Sequence, residues 1–401
     1  VTSMSQMFYG NNSAHTLDLS SFDTRHVTNM YRMFFDCSSL KSLEFGNSFN
    51  TSSVTNMADM FALCINLSAL DVTGFNTSKV TTMRTMFSTC RALTTLDVSG
   101  FNTSNVTDMY GMFNSCLALT KLNLKNFNTS KVTDMSQMFT NCYALTELNV
   151  SSFDTSEVTD MASMFEYCKK METLTFGENF DTSKVTNMSL MFRGCSALKE
   201  LDLSSFDTSA VTDMHWMFMT CSKLSVLKLG QDFKVSKVTT FANMFDDCGE
   251  LDNIEGTLKF GNSNQAADMS FMFFKCNALK EIPFYFPEQE EPILFDSLTT
   301  AEKMFYACHQ LTRADLSNWQ LGDLTNTAKM FAYCDALNEI DLSWTGIEAI
   351  DGDFTVEDMF IDVPAATLEI GKEPAEDDNF MRAVVQAFLS GDEGRSITVN
   401  G

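Results

Sequence analysis

The chain is 401 residues long and carries 52 acidic against 27 basic side chains, a formal net charge of −25 at pH 7. This charge repels a nucleic-acid backbone and an anionic membrane surface, so neither is an expected partner. No apolar run approaches the roughly 18 to 20 residues that cross a bilayer, so no membrane span is expected. The counts of 27 Met, 36 Phe and 12 Cys are unusual and indicate internal repetition.

The dipeptide Met-Phe occurs fourteen times along the chain, mostly at intervals of 26 or 27 residues. A cysteine follows the phenylalanine by three residues in the twelve inner copies, whereas the end copies have Asn11 and Val363 there. A period of about 20 to 29 residues is typical of leucine-rich repeats, whose stacked units bury one continuous core. The sequence therefore predicts a solenoid of about fourteen repeats over residues 1–371, with atypical units at its ends.

The first half of a repeat has a helix-like hydrophobic pattern. In a representative copy the apolar residues lie at positions i, i+3, i+6, i+7 and i+10: Val132, Met135, Met138, Phe139 and Cys142. This spacing would place them on one stripe of a helix of about two turns, with Thr133 or Asp134 as the N-cap. A short helix is therefore predicted in each repeat.

The second half of the repeat has a strand-like pattern. Leu148 and Val150 alternate with Asn149 and Ser151, and this period of two residues predicts a short strand that is buried on one face. An F-[DN]-T-S segment follows and is expected to form an Asx turn. The predicted fold is thus α/β: a right-handed solenoid like that of leucine-rich repeats, with one parallel β-sheet and a short helix per repeat.

The full repeat reads V-T-[DN]-M-x-x-M-F-x-x-C-x-x-L-x-x-L-[DN]-[LV]-S-x-F-[DN]-T-S. This pattern resembles the repeats of the BspA-like leucine-rich repeat surface proteins, and the resemblance covers residues 1–345. It implies secretion by a bacterium, display on the cell envelope and binding to proteins of host or neighbouring cells.

The cysteines and histidines do not form a metal-binding pattern. No two cysteines lie closer than 26 residues, so a C-x-x-C zinc or redox pair is absent. One cysteine per repeat at an inward position predicts a ladder of reduced, buried thiols, although disulfides between adjacent repeats are the alternative. No metal is predicted at the four histidines: His15, His26, His215 and His309.

Catalytic motifs are also missing from the sequence. We find no nucleophile elbow, phosphate-binding loop, dinucleotide fingerprint or zinc-hydrolase motif. The chain is therefore expected to be non-enzymatic and to need no cofactor.

The outward position of the predicted strand carries a carboxylate in many repeats: Asp18, Glu44, Asp71, Asp97, Asp202, Asp315 and Asp341. The same predicted row passes through Lys228 and Lys259. Carboxylates about 5 Å apart repel each other within the Debye length of about 8 Å, and a basic partner would relieve this repulsion. The alternative is that neighbouring hydroxyl groups satisfy the carboxylates, as in Asp97-Val98-Ser99.

One repeat is lengthened to 32 residues by an insertion at residues 283–295, which contains three of the five prolines. Insertions in solenoids can carry recognition, and aromatic side chains are common anchors at interfaces. Three aromatic residues of this segment are predicted as ligand-binding residues: Phe284, Tyr285 and Phe286. Divergence without a function is the alternative.

After Gly371 the repeat pattern stops, and residues 376–390 predict an amphipathic helix. Residues 372–401 are therefore predicted to form a C-terminal cap that covers the open edge of the last repeat.

These features together predict an extracellular module, associated with the cell surface, that mediates adhesion to host or other bacterial proteins. The chain is expected to act as a monomer. The alternative is a passive spacer that displays another domain and has no ligand of its own. The uneven distribution of acidic and aromatic residues favours the binding function.

Overall fold

A computed structural model describes residues 1–256, 258–260, 264–284, 292–346, 353–365, 367–375, 378–391 and 394–400. The chain divides into two compact units, Val1–Leu198 and Lys199–Gly401. This division falls inside the predicted repeat region. The predicted boundary between repeats and cap at residue 371 stays a prediction.

The first unit, residues 1–198, contains four short strands. They are β1 (Thr16–Leu19), β2 (Ser42–Phe45), β3 (Glu147–Asn149) and β4 (Thr173–Thr175). The strands pair in parallel, β1 with β2 and β3 with β4, and the paired residues are 26 positions apart, as in Leu17 with Leu43. Consecutive repeats therefore lie directly beside each other as coils of a parallel β-solenoid.

The second unit, residues 199–401, has the remaining strands and a helix. They are β5 (Glu200–Leu203), β6 (Val226–Leu229), β7 (Asn253–Glu255), β8 (Ile293–Phe295), β9 (Arg313–Asp315), β10 (Trp319–Leu321), β11 (Glu339–Asp341), β12 (Thr367–Ile370), α1 (Asn379–Leu389) and β13 (Ser396–Val399). The sheets have the orders β5-β6-β7, β10-β8 and β13-β12-β11-β9, and every pair is parallel.

The predicted parallel stacking is confirmed, but the strands form several short sheets rather than one. Between the short sheets, single parallel bridges such as Thr95 with Lys121 continue the stack in the first unit. A second column of bridges runs through the Asp, Asn, Thr or Ser that precedes the first Met position, as in Asp134 with Asp160. Several neighbouring coils within a unit are thus joined at two places. The predicted right-handedness stays a prediction.

The apolar residues of each repeat stack on their equivalents in the next coil. Phe139, with no exposed surface, lies between Phe113 and Phe165 with ring centroids 5.7 Å away on both sides. The rings are within 6° of parallel. Offset stacked pairs of this kind add about 0.5 to 1.5 kcal/mol beyond their buried area, so the phenylalanine column is a major source of stability.

The prediction of a short helix in each repeat is wrong. Among the described residues the only helix is α1, and the Met-x-x-Met-Phe-x-x-Cys segments form successive β-turns instead. In the representative coil, Met138 N–H donates to the Met135 carbonyl at 3.2 Å and Cys142 N–H donates to the Phe139 carbonyl at 3.1 Å. Gln137 has a φ of 59°, in the left-handed region, which ends any helical continuation.

The remaining N–H groups of this segment explain why β-turns replace a helix. Gln137 N–H donates to the carbonyl of Ala162 and Phe139 N–H donates to that of Met164, each at 2.9 Å, so both bonds reach the next coil. In a helix these donors would be used within the segment. The i, i+3, i+7 spacing fits both arrangements because two consecutive β-turns also bring every third or fourth residue to the same side.

The F-[DN]-T-S segment forms the predicted Asx turn, and its threonine has a further role. Ser130 N–H donates to the Asn128 side-chain oxygen at 3.1 Å. Thr129 is fully buried; its hydroxyl donates to the Asp154 carbonyl at 2.7 Å and accepts from Asp154 N–H at 2.9 Å. Because the same pair of bonds recurs in neighbouring coils, this threonine column is an internal hydrogen-bond ladder.

The predicted C-terminal helix is present as α1. Its N-cap is Asp378, whose carboxylate accepts from Met381 N–H at 3.0 Å, and Phe388 contacts the Phe360 ring edge-on at 5.3 Å. The free edge of β12 is covered by β13, which pairs with it over four residues. Helix and strand together close the end of the second unit.

Candidate functional site

The strands present one face to the core and the other to solvent. Leu148 is only 2 % exposed, whereas its neighbours Glu147 and Asn149 are exposed. The inward positions repeat almost the same residues in every coil, but the outward positions change from coil to coil. We call the outward side of the strands and single bridges the strand face.

In the first unit the predicted acidic row lies on the strand face. Asp18 is paired directly with Glu44 in the β1–β2 register, and both side chains are exposed. Asp71 and Asp97 follow in the next two coils and are also exposed. Asn123, Asn149 and Thr175 then continue the row without charge, so the acidic part of this row is confined to one end of the unit.

Hydrogen bonds from nearby residues hold these carboxylates, as the alternative interpretation predicted. The Asp97 carboxylate accepts from Ser99 N–H at 2.9 Å, and hydrogen bonds from Ser99 lower the pKa of Asp97. Hydrogen bonds from the hydroxyl and N–H of Thr73 lower the pKa of Asp71, although the charge of Asp97 acts in the opposite direction. These residues are therefore charged at neutral pH. In each of them one carboxylate oxygen accepts a hydrogen bond from the residue two positions later in the same coil.

A groove of about 620 Å³ begins at Asp97, the last carboxylate in the acidic part of this row. Leu96, Leu122 and Leu148 line it together with the polar groups of two outward columns. Its polar lining residues include Asp97, Lys121, Asn123, Glu147, Asn149 and Thr175. We call this the unit-1 groove; it combines apolar, charged and amide groups, the mixture found at protein-binding surfaces.

In the second unit the outward row differs from the predicted one. Asp202 is paired with Lys228 as expected, but Lys228 is paired with Glu255 rather than continuing to Lys259. Lys259 instead bridges to Lys234 in a different column. In the β6–β7 pair the inward residue Ile254 is paired with Leu227, so the next residue, Glu255, is paired with Lys228. This part of the row therefore alternates in charge.

Farther along the second unit the row becomes acidic again. Asp315, Asp341 and Glu369 are directly paired across β9, β11 and β12. All three side chains are half-buried. One oxygen of the Asp341 carboxylate accepts hydrogen bonds from the N–H of Ser343 at 3.0 Å and from the Ser343 hydroxyl at 2.6 Å.

A second groove, of about 520 Å³, lies beside Asp315. We call it the unit-2 groove and define it by its lining residues: Glu281, Ile282, Phe284, Thr312, Arg313, Asp315, Asn338 and Glu339. It has one cation among three carboxylates.

Phe284, which the sequence predicted as a ligand-binding residue, does not project outward from the insertion, and its role in binding stays a prediction. Phe284 is only 6 % exposed, and its ring lies 5.1 Å from that of Phe260 and 5.8 Å from that of Trp319. An aromatic side chain gains more by burial among such rings than by exposure to water, and Phe284 is a core residue at the base of the unit-2 groove. Tyr285 and Phe286 lie outside the described residues.

The cysteines form the predicted column of free, buried thiols. The Cys142 thiol donates to the Phe113 carbonyl of the preceding coil at 3.2 Å. Burial raises the pKa of Cys116 and of Cys168 to about 12, so both remain protonated at neutral pH. A protonated, buried thiol is neither a nucleophile nor a metal ligand.

Two negative findings hold for the residues that the structure describes. No group of three His, Cys, Asp or Glu side chains there could hold a metal ion. No helix in the described ranges combines the length and hydrophobicity that crossing a membrane requires.

The strand face has a second column of exposed residues that was not predicted from the sequence. The residue before the first inward side chain, which is Leu, Ala or Ile, also faces solvent, and this places Lys121, Glu147, Arg313 and Glu339 on the strand face. The same period of two that identified Asn149 contains this signal, because positions on both sides of an inward leucine must point outward.

Several solved structures are similar to this chain. A leucine-rich repeat protein from Bacteroides ovatus ATCC 8483 is 15% identical, with 93% of this chain and 87% of that chain covered and a TM-score of 0.47. A leucine rich cell surface protein from Faecalibacterium prausnitzii A2-165 is 17% identical, with 82% of each chain covered and a TM-score of 0.38. A leucine-rich repeat protein from Eubacterium ventriosum ATCC 27560 is 17% identical, with 66% and 77% covered and a TM-score of 0.27.

No curated protein matches the chain. A family profile matches it at residues 2–119, 90–175, 173–283 and 295–370, so the BspA-like repeat pattern is confirmed along most of its length. The chain belongs to the family described as "Mycoplasma protein of unknown function, DUF285".

Proposed function

We propose that the chain is a non-enzymatic protein-interaction module of a bacterial surface protein, and that it mediates adhesion to host or neighbouring cells through its strand face. The observation that carries this proposal is the contrast between the two sides of the strands. The inward side repeats nearly the same leucine and valine residues, whereas the outward side changes from coil to coil and contains two grooves.

The unit-1 groove has the composition of a protein-binding surface. Its apolar residues, such as Leu122, are accompanied by Lys121 and Glu147 in adjacent coils and by the amide of Asn149. Such a surface can accept both apolar and polar groups of a protein partner, and the charges give specificity more than affinity. The extracellular location is part of the proposal and is supported by the resemblance to the BspA-like proteins.

The test is adhesion of beads coated with the purified chain to cultured host cells and to neighbouring bacteria. A charge exchange in the unit-1 groove, Lys121→Glu with Glu147→Lys, keeps the net charge and should reduce bead binding several-fold. The matched control is Lys79→Glu with Glu178→Lys, which exchanges two exposed charges in the same unit but outside the groove. Circular dichroism and thermal unfolding confirm that both variants fold.

The passive-spacer alternative makes the opposite prediction. A spacer has no ligand, so beads coated with the unaltered chain would adhere no better than uncoated beads. Equal adhesion by the groove variant and the control variant would likewise contradict a role for the unit-1 groove.

A further inference from the structure

We propose that the unit-2 groove binds a basic segment of the partner protein, one that carries lysine or arginine side chains. This inference rests on the proposed function and names the chemistry of its partner. The unit-2 groove has different lining residues from the unit-1 groove. The inference depends on the excess of carboxylates over cations in the unit-2 groove.

The charges of the unit-2 groove are unbalanced. Arg313 lies 3.0 Å from a carboxylate oxygen of Asp315 and 3.8 Å from one of Glu339, which faces it across the β9–β11 register. Glu281 is a third carboxylate in the lining. The neighbouring Lys280 is directed to Asp252, 3.6 Å away. The lining of the groove therefore contains one guanidinium and three carboxylates.

The negative charge continues beyond the groove along the strand face. Asp315, Asp341 and Glu369 occupy paired positions in three adjacent strands. Adjacent strands are about 4.8 Å apart, which is less than the Debye length of about 8 Å at physiological salt, so the fields of these carboxylates add. A partner with several cations in one segment would meet this surface at more than one point.

The apolar lining suits the same kind of partner. Ile282 and Phe284 contribute apolar surface beside the carboxylates. Lysine and arginine place a charged head on a long aliphatic stem, and such side chains pack the stem on apolar surface while the head reaches an acidic group. An acidic partner segment would be repelled at the same place.

A small metal ion is a poorer occupant. Among the described residues no group of three potential ligands is arranged to hold a metal, and the Arg313 guanidinium would repel one. Charge complementarity thus favours a basic protein segment over a bare cation.

The test is binding of a fluorescent peptide, in which lysine alternates with serine, to the full chain, followed by anisotropy at several salt concentrations. The counterpart peptide has glutamate in place of lysine. The groove variant is Glu281→Gln with Glu339→Gln, and the matched control is Glu250→Gln with Asp323→Asn. The control removes the same charge from exposed positions of the same unit that do not line the groove.

We expect the lysine peptide to bind, the glutamate peptide not to bind, and the affinity to fall with salt. The groove variant should weaken binding by about three- to tenfold, from two exposed ionic contacts, while the control variant binds almost as well as the unaltered chain. Absence of lysine-peptide binding, or equal losses in both variants, would overturn the inference.

The adhesion assay on the same groove variant separates this inference from the proposed function. If coated beads adhere but the lysine peptide does not bind, the basic-segment inference fails and adhesion stands. If the peptide binds in the groove but the beads do not adhere, adhesion fails and the groove remains a binding site for basic segments.

Discussion

At the scale of single residues, the threonine of the F-[DN]-T-S segment contributes more than its position in a turn suggests. Thr129 is buried, and its hydroxyl both donates to and accepts from the backbone of Asp154 in the next coil. Without these bonds one N–H and one carbonyl of the half-buried Asp154 would lose this partner. The threonine hydroxyls therefore hydrogen-bond the backbone of the next coil, as the backbone of a neighbouring strand does in a sheet.

The substitution Thr129→Val keeps the shape of this side chain and removes its hydroxyl. We expect the free energy of unfolding to fall by about 1 to 3 kcal/mol, because two backbone groups of the half-buried Asp154 lose their partner. Thr133→Val is the control, since Thr133 is exposed and its backbone bonds to the neighbouring coils remain; it should cost less than about 0.5 kcal/mol. Urea denaturation measures both changes, and similar losses would argue against the ladder.

At the scale of elements, the turn segment of each coil has backbone conformations that L-residues seldom adopt. Gln137 and Asn141 have φ values of 59° and 61°, and Gly111 takes the position of Gln137 in the preceding coil with a φ of 55°. A non-glycine residue in this region costs about 1 kcal/mol or more. The hydrogen bonds from this segment to the next coil offset that cost, and they form only when the coils stack.

Two substitutions at position 137 distinguish a β-turn from a helix. In the observed β-turn, Gln137→Gly should be neutral or stabilising by up to about 1 kcal/mol, whereas the β-branched Gln137→Val should cost about 1 to 3 kcal/mol. In a helix the order would be reversed, because glycine is the poorer helix former. Both variants lose the hydrogen bond from the Asn114 side chain to Gln137, so the comparison between them is matched. Chemical denaturation gives the order.

At the scale of the whole molecule, the charge of −25 is a source of instability. Net charge far from zero destabilises the folded state through self-repulsion, and paired rows such as Asp315, Asp341 and Glu369 concentrate that repulsion on the strand face. Exposed ion pairs such as Lys184 with Glu157, at 2.7 Å, relieve only part of it.

Added sodium chloride should therefore raise the melting temperature. The Debye length falls from about 30 Å at 0.01 M to about 3 Å at 1 M salt, so the repulsion between surface carboxylates is screened before the buried core is affected. For a chain of 401 residues the expected rise is about 1 °C for each kcal/mol of repulsion removed. Differential scanning calorimetry at neutral pH measures it, and a falling melting temperature would mean that the surface ion pairs outweigh the repulsion.

The repeat sequence by itself determined which side chains face inward and that consecutive repeats stack. The fixed period of Met, Phe and Cys leaves one arrangement in which all of them are buried, and Phe139 between Phe113 and Phe165 shows that arrangement. The exposed acidic residues from Asp18 to Asp97 followed from the same period, because a residue next to an inward leucine must point outward.

Only the tertiary structure decided how the backbone satisfies its hydrogen bonds. Hydrophobic spacing records the direction of a side chain but not the partner of an N–H group, so the turn at Gln137 looked like a helix and the buried Thr129 looked like a surface turn residue. The position of Phe284 was also decided by tertiary contacts, because rings from other coils, including Phe260 and Trp319, surround it. In a solenoid those partners lie in other coils, 24 residues or more away in these examples, where a local sequence pattern has no information about them.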